Sequence, residues 1–483
     1  MTGLAGTTPR GGVLGTLRPS LLDGTAPNRG RLDTGKVRIL GAPASDISTL
    51  VNEPSVAVTP AHAPRLLLYS ALIFSIFQLY IIPVGGFYFS LGLISAYSLV
   101  FLAAPNKATN LPLVRAIGAL LLVEAASLIW SPNPEQGVRE IVYTLPFLIT
   151  FLAARQIAMR DESAIVGGLK LYCLVACLHS ALIIGMTLDP SLKDLIFSSP
   201  AGGLFMSQNS LDALNTGAVV DNAAGSGKSG GFFDNANVAG VWAATTLAAT
   251  IAVIHYGKSR LYILVALVHI AAIVACGSKA SLALLALIPV VVVLFFMVFP
   301  PVGRRPQLFL AGMLAALVAG GGLVARVALR QSQFATGSQE TLTSRMVMWT
   351  HAWHEFQRTP WLGQGFGGWT LSFAPVGEAY RYLGVTPNFP PHNSLIILWS
   401  NSGLAALLLG VVIIVLLLRI AMAPRRTAKG LRLAQCALGA YLFVVLQAMG
   451  ENYGILGEIH IQIPLAVMLG WASIYQLLPQ AKA

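Results

Sequence analysis

The sequence has very few charged residues for its length. Of 483 residues, 10% are charged and 55% are hydrophobic, whereas soluble proteins carry about 25% charged residues. Such a chain cannot build a water-facing surface, so most of its surface must face lipid. The composition excludes a soluble protein and predicts a polytopic membrane protein.

Cysteine is also scarce. The four cysteines, Cys173, Cys177, Cys276 and Cys436, all lie in or at the end of apolar runs. At such positions cysteine packs as a small hydrophobic residue, so the sequence gives no sign of a disulfide framework.

Two motifs of nucleotide chemistry are incomplete. Gly227-Lys228-Ser229 resembles the end of a phosphate-binding loop, but Asn222 stands where that motif requires its first glycine. No D-x-D pair, the usual ligand of a metal-bound sugar nucleotide, occurs in the chain. The net charge of +12 is spread over short clusters between apolar runs. This is the pattern of cytoplasmic loops, so we expect no nucleic-acid partner.

The apolar runs predict an all-α membrane protein with about twelve transmembrane helices. The length of each run is close to the roughly 20 residues that a helix needs to cross a bilayer. The predicted spans are 64–84, 86–104, 112–130, 141–157, 164–186, 236–255, 259–276, 280–299, 307–327, 393–419, 430–449 and 457–477.

Three regions follow from this pattern. Residues 1–63 are predicted to be a disordered cytoplasmic tail without a signal peptide, 64–477 the membrane domain, and 478–483 a cytoplasmic C-terminus. The basic clusters place two long loops, 187–235 and 328–391, on the opposite, periplasmic side. Loops of that length are usually functional.

One long loop is predicted to contain an amphipathic helix. Leu342, Met346, Trp349, Trp353 and Phe356 recur at helical spacing. We expect this helix to lie on the outer surface of the membrane.

Three basic or titratable residues lie on the predicted outer side. Lys279 starts a span, where a lysine opposes the helix dipole unless an anion lies between them. Arg345, in the predicted amphipathic helix, has a fork of donors suited to phosphate. His392 opens a span, where the dipole keeps an imidazole neutral, as a general base requires. Taken alone, Lys279 and His392 are better explained as residues at the membrane interface, and Arg345 is explained as well by solvation as by phosphate binding.

Two further features of the sequence each allow more than one interpretation. His351, His354 and Glu355 in "HAWHE" have a spacing that could hold a metal, but they match no known metalloprotease motif. Glu124 lies within a predicted span, either as a functional acid or as a hydrogen-bonded partner inside the bundle.

Four segments together resemble the bacterial O-antigen ligase and polymerase superfamily. They are "GFFDNANVAG", "GSKAS", "SRMVMWTHAWHEFQRTPWLGQGFGGW" and "PPHNSLIILWSNSGL", and the resemblance covers about 231–420. The superfamily consists of α-helical glycosyltransferases of the inner membrane with a periplasmic active site. They transfer a glycan from undecaprenyl diphosphate to an acceptor hydroxyl, without metal or cofactor.

The resemblance assigns roles to residues of this chain. Arg345 matches the arginine that binds the lipid diphosphate, and His392 matches the proposed catalytic base. Lys279 stands where the family usually has arginine, and lysine cannot bind phosphate bidentately. Asn235 and Asn393, in the matched segments, are expected to contact the substrate.

The resemblance leaves the reaction partly open. The expected inverting transferase either polymerises O-antigen or exopolysaccharide repeat units, which we take as the first hypothesis, or ligates a glycan to lipid A-core. A polysaccharide transporter or flippase is the non-enzymatic alternative. It is disfavoured because a carrier's site usually lies at mid-membrane between related halves, and the sequence has no visible repeat.

Overall fold

A computed structural model describes most of the chain from residue 62 to residue 476. The gaps are 85–86, 104–111, 200–201, 216–227, 258, 299–331, 384, 386–389, 427–429 and 452. Almost all of the predicted tail, the whole predicted span at 307–327 and the C-terminus at 478–483 lie outside the described residues.

The described residues are mainly helical. We number the α-helices in chain order. They are α1 His62–Phe77, α2 Leu91–Ser98, α3 Pro112–Ser127, α4 Pro134–Arg160, α5 Glu162–Leu188, α6 Ser191–Phe197, α7 Gly202–Phe205, α8 Gln208–Asn215, α9 Ala236–Gly257, α10 Leu261–Ala275, α11 Lys279–Val298, α12 Ser332–Arg358, α13 Trp369–Ala379, α14 Ser394–Met422, α15 Gly430–Ala448 and α16 Ile459–Ser473.

Seven of the described helices are long and apolar enough to cross a membrane. They are α3, α4, α5, α9, α11, α14 and α15, and three shorter apolar segments begin at His62, Leu91 and Leu261. The prediction of a helical, multi-pass membrane protein is confirmed, whereas the number twelve is not. Four predicted spans correspond to the shorter helices α1, α2, α10 and α16, which have 16, 8, 15 and 15 residues.

The all-α prediction is wrong at one place, between α1 and α2. The chain turns at Gln78 and Leu79, which both have positive φ, and then forms an antiparallel hairpin of β1 (Tyr80–Val84) and β2 (Phe87–Ser90). The predicted span 64–84 therefore ends as a helix at Phe77. The strands flank Gly85-Gly86 in the sequence, a strong hairpin signal that the apolar length of the run obscured.

Burial divides the bundle into a centre and a periphery. Of the most apolar 18 residues in each helix, 78% are buried in α9 and 72% in α15, compared with 28% in α11 and 33% in α14. The short helix α16 is buried along its whole length. The apolar flanks of α11 and α14 are therefore the surfaces available to lipid.

The predicted amphipathic helix is present as α12 and begins ten residues earlier than its apolar stripe. Its buried side chains are Met348 and Ala352, which pack against Trp369 and Phe373 of α13. By contrast, Leu342, Met346 and Trp353 of the predicted stripe are exposed. An exposed apolar stripe suits a helix that lies against a membrane.

The packing of α16 against α4 depends on Gly470. A Cβ at this position would lie 2.6 Å from the Phe151 carbonyl oxygen and 3.1 Å from the Arg155 backbone nitrogen. We expect Gly470→Ala to destabilise the bundle by about 1–3 kcal/mol through overpacking. The expected result is a lower melting temperature of the purified protein in lipid nanodiscs.

Gly118→Ala is the matched control, because a Cβ on Gly118 of α3 meets nothing within 4 Å. Alanine is the better helix former there, so its melting temperature should be unchanged or raised. Equal effects of the two substitutions would contradict the packing argument.

Candidate active site

Several helix ends converge at one end of the bundle, the end predicted to be the outer one. Gln447, near the end of α15, donates from Nε2 to the Asn237 carbonyl at the start of α9, at 3.0 Å. Its Oε1 lies 3.0 Å from the Ser281 hydroxyl at the start of α11. One amide side chain thus fixes three helix ends beside one another.

Two lysines meet at this point. Lys279, the first residue of α11, is exposed, and Lys228, just before α9, acts electrostatically on it. Lys228 belongs to the incomplete nucleotide motif Gly227-Lys228-Ser229, which lies in the predicted loop 187–235. The tertiary structure gives this lysine a position beside the predicted cation that the sequence did not reveal.

Arg345 of α12 brings a third cation to the same place. Its guanidinium lies 3.8 Å from Oε1 of Glu451, and the two side chains are 27% and 4% exposed. Glu451 follows α15 and is a residue that the sequence reasoning missed. An acidic residue in the short segment between two apolar runs was the available signal.

Glu451 is a buried acid surrounded by partners. Burial raises its pKa to about 7, although Arg345, a hydrogen bond from Asn237 and Lys228 all favour the charged form. Lys228, Lys279, Arg345 and Glu451 thus form one group, which we call the cation cluster. At neutral pH the carboxyl of this cluster exchanges readily between its charged and neutral forms.

His392 lies at the edge of the cation cluster. Trp349 Nε1 of α12 donates to the carbonyl of Pro391 at 2.8 Å, and Asn393 Nδ2 donates to the carbonyl of Met449 at 3.1 Å. His392 lies between these two hydrogen-bonded residues, Pro391 and Asn393, and has a φ of 48°. Few non-glycine residues adopt this left-handed conformation. Fixing its neighbours on both sides maintains this conformation.

The imidazole of His392 is neutral at physiological pH. Burial, and secondly the positive charge of Arg345, lower its pKa to about 4. The structure thus brings Arg345 and His392 into electrostatic contact, while Lys279 joins the same group through Lys228 and Glu451.

The two predicted asparagines serve as helix caps. Asn393 Oδ1 accepts from the backbone N–H groups of Leu395 and Ile396 at 3.0 and 3.2 Å. Asn235 Oδ1 accepts from the N–H of Asn237 at 2.9 Å, at the start of α9. These contacts orient α14 and α9, and substrate contact by Asn235 and Asn393 stays a prediction.

A cavity of about 570 Å³ lies beside the cation cluster. Pro391 and Ser394, on either side of His392 and Asn393, line it, as does Tyr453, two residues after Glu451. It contains Glu124, the acid left unassigned by the sequence. Further acids in its lining are Glu140, Asp234 and Glu458, and none of these three was predicted.

The glycine-rich segment after α12 forms part of this cavity. Gly363, Gly365 and Gly367 have φ values of 68°, 91° and 87°, which side chains rarely tolerate. Between them, Phe366 accepts from the Ser131 hydroxyl at 2.7 Å through its carbonyl oxygen. The segment thereby presents Phe366 and, two residues after Gly367, Trp369 to the cavity.

The metal hypothesis for "HAWHE" finds no support in the described part of the chain. His351 packs against the rings of Trp369 and Phe373, and His354 is exposed. No group of three His, Cys, Asp or Glu side chains within the described ranges is placed to hold a metal ion.

No curated protein matches the chain. Residues 264–411 match the family described as O-antigen ligase, and this stretch contains Lys279, Arg345 and His392. The match covers less than half of the chain, and over this stretch the chain is similar to the O-antigen ligase family.

Proposed function

We propose that this protein is an inverting, metal-independent glycosyltransferase of the bacterial inner membrane. It transfers an oligosaccharide from undecaprenyl diphosphate to an acceptor hydroxyl at the periplasmic face. In our first hypothesis, it polymerises O-antigen or exopolysaccharide repeat units. The observation that carries the proposal is the convergence of three cations from separate segments beside a neutral, half-buried histidine.

The cations suit a diphosphate leaving group. As the bond between the anomeric carbon and the diphosphate oxygen breaks, its electron pair passes to that oxygen. Lys228, Lys279 and Arg345 offset the developing negative charge from fixed positions, and such preorganised charge is effective in a partly desolvated site. Lys279 replaces an arginine of the family, and Lys228 adds a second ammonium group beside it.

His392 is placed to take the proton. The acceptor oxygen forms a bond to the anomeric carbon from the face opposite the diphosphate while its proton passes to the imidazole. In the free protein the pKa of His392 is about 4, which makes it a weak base. A bound diphosphate offsets the charge of Arg345, so substrate binding raises the pKa of His392 toward the range that base catalysis needs.

The experiment that tests the proposal is a reconstituted reaction. Purified protein in lipid receives an undecaprenyl diphosphate-linked repeat unit, with and without lipid A-core, and the products are separated on a gel. A ladder from the lipid-linked unit alone supports polymerisation, and one shifted band that requires lipid A-core supports ligation. An intact donor under both conditions contradicts the proposal and favours a transporter.

Replacing either Arg345 or His392 by alanine should abolish transfer. The loss of a preorganised charge or of a general base costs about 10²–10⁴-fold in rate, and membrane insertion should stay intact. Arg358→Ala is the matched control on α12, because Arg358 is exposed and pairs with Glu355. Lys279→Arg should retain activity. Full activity of Arg345→Ala would rule out the role of Arg345 in binding the lipid diphosphate.

The donor KM should depend on pH through Glu451. Above its pKa of about 7 the carboxylate competes for Arg345 and repels the diphosphate, and below that pKa the neutral carboxyl does neither. We expect the donor KM to rise by about threefold or more between about pH 6 and pH 8. His392 does not titrate in this window, since its pKa in the free protein is about 4.

Glu451→Gln keeps the shape of the side chain and removes its charge. In this variant the donor KM should be low and almost independent of pH over the same range. Steady-state kinetics with varied lipid-linked donor provides the measurement. A pH-dependent rise that persists unchanged in Glu451→Gln would show that another group is responsible.

A further inference from the structure

We propose that Glu451 displaces the diphosphate product from the cation cluster, and that this carboxyl takes up a proton whenever a terminal diphosphate binds there. The inference rests on the proposed function, because the product is the leaving group of that transfer. It adds a control of turnover to the same site. Its basis is the geometry of the contact between Arg345 and Glu451.

Arg345 and Glu451 form a pair that a ligand can displace. The Arg345 guanidinium lies 3.8 Å from Glu451 Oε1, which is longer than the usual hydrogen-bond length of about 2.7–3.2 Å. Within the described part of the chain, Arg345 Nε is a buried donor without a hydrogen-bond partner. The arginine therefore retains donors for a phosphate group, which a guanidinium binds through its fork of N–H groups.

Glu451 depends on the same cations that a diphosphate needs. Several groups of the described residues act on Glu451 or are acted on by it, namely Arg345, Lys228, Asn237, Tyr453 and Glu458. Arg345 and Lys228 are the cations of this set, and they favour the charged carboxyl against the burial that raises its pKa to about 7. A buried carboxylate that loses such compensation becomes costly.

A bound diphosphate changes the charge state of Glu451. The phosphates attract Arg345 and Lys228, so these cations offset the charge of the carboxylate less. The phosphates also repel the carboxylate directly. Both effects raise the pKa of Glu451 above its value in the free protein, so the carboxyl takes up a proton from solvent as the diphosphate binds.

The product carries more negative charge than the donor. In the donor, the phosphate next to the glycan is esterified. After transfer this phosphate is terminal, and a terminal phosphate carries about −1.5 to −2 charges at pH 7. The cations that stabilise the leaving group therefore hold the product more tightly than the donor, and product release is often the slow step of an enzyme.

Ionisation of Glu451 favours release of this product. When the carboxyl gives its proton back to solvent, the carboxylate competes for Arg345 and Lys228 and repels the phosphates. The proton taken up on binding is thus given up on release, and the acceptor hydroxyl supplies the one proton that a turnover liberates. The carboxyl is neutral while the diphosphate is bound, so it does not weaken the cations during the transfer itself.

Calorimetry on the full-length protein in lipid nanodiscs measures the proton uptake. The probes are inorganic diphosphate and farnesyl diphosphate, each titrated at about pH 8 in buffers of different ionisation enthalpy. The wild-type protein should take up about half a proton or more per diphosphate, because Glu451 is mainly charged before binding at this pH. A terminal phosphate is already ionised there, so no uptake by the wild-type protein overturns the inference.

Glu451→Gln identifies the group that takes up the proton. This variant should lose most of the uptake, because the ligand and the other groups titrate alike in both proteins. A difference with both probes assigns the effect to the diphosphate itself, and a difference with farnesyl diphosphate alone assigns it to the lipid-linked form. Equal uptake by the wild-type protein and Glu451→Gln contradicts the inference.

Rapid-quench kinetics tests the role of Glu451 in turnover. Glu451→Gln should lower kcat by about threefold to tenfold and show a burst of product in the first turnover, because its neutral amide cannot displace the product. Added farnesyl diphosphate should inhibit this variant at least about tenfold more strongly than the wild-type protein. An unchanged kcat without a burst, with the melting temperature preserved, overturns the inference.

Glu378→Gln is the matched control for these measurements. Glu378 pairs with Arg381 at 3.4 Å, and its side chain is 61% exposed. This variant should leave the proton uptake, kcat and product inhibition unchanged. Transfer at equal kcat by the wild-type protein and Glu451→Gln sustains the proposed function and contradicts product displacement, whereas an absence of transfer by either protein contradicts the proposed function itself.

Discussion

The contact between Arg345 and Glu451 connects the long-loop helix to the end of the bundle. Glu451 is almost completely buried, and a buried carboxylate requires compensating charge and hydrogen bonds. Those partners come from three separate parts of the chain, namely α12 through Arg345, the start of α9 through Asn237, and the preceding segment through Lys228. The need to compensate one buried acid thereby brings together two of the three cations that the proposed reaction uses, Arg345 and Lys228.

The site has two parts with different side chains, and these parts share a boundary. One part is the cation cluster, and the other is the cavity, which is lined by aromatic side chains and carboxyl groups. The boundary consists of the segments around His392 and Tyr453, which the hydroxyl of Ser394 joins through the carbonyls of Ala448 and Tyr453. The proposed base thus lies between the cations and the cavity.

Parts of this site were accessible from the sequence because they carry local signals. Lys279 and His392 lie at the ends of apolar runs, where an ionisable group is conspicuous, and Arg345 lies in the predicted amphipathic helix. Lys228 lies in an incomplete nucleotide motif that did not indicate its position. Glu451 was missed because a single acid between two apolar runs is a weak signal. The hairpin at Tyr80–Ser90 was missed because its strands are as apolar as the neighbouring helices.

The amino-acid pattern alone indicates a helical membrane protein that resembles the O-antigen ligase and polymerase superfamily over part of its length, because the length of apolar runs and local motifs can be recognised without knowledge of contacts. Three-dimensional packing sets which charges lie together. Glu451, the partner of Arg345, is more than a hundred residues away along the chain, and no periodicity in the sequence indicates such a pair. Pairing a buried charge depends on where helix ends converge, and packing between α9, α11, α14 and α15 sets that position.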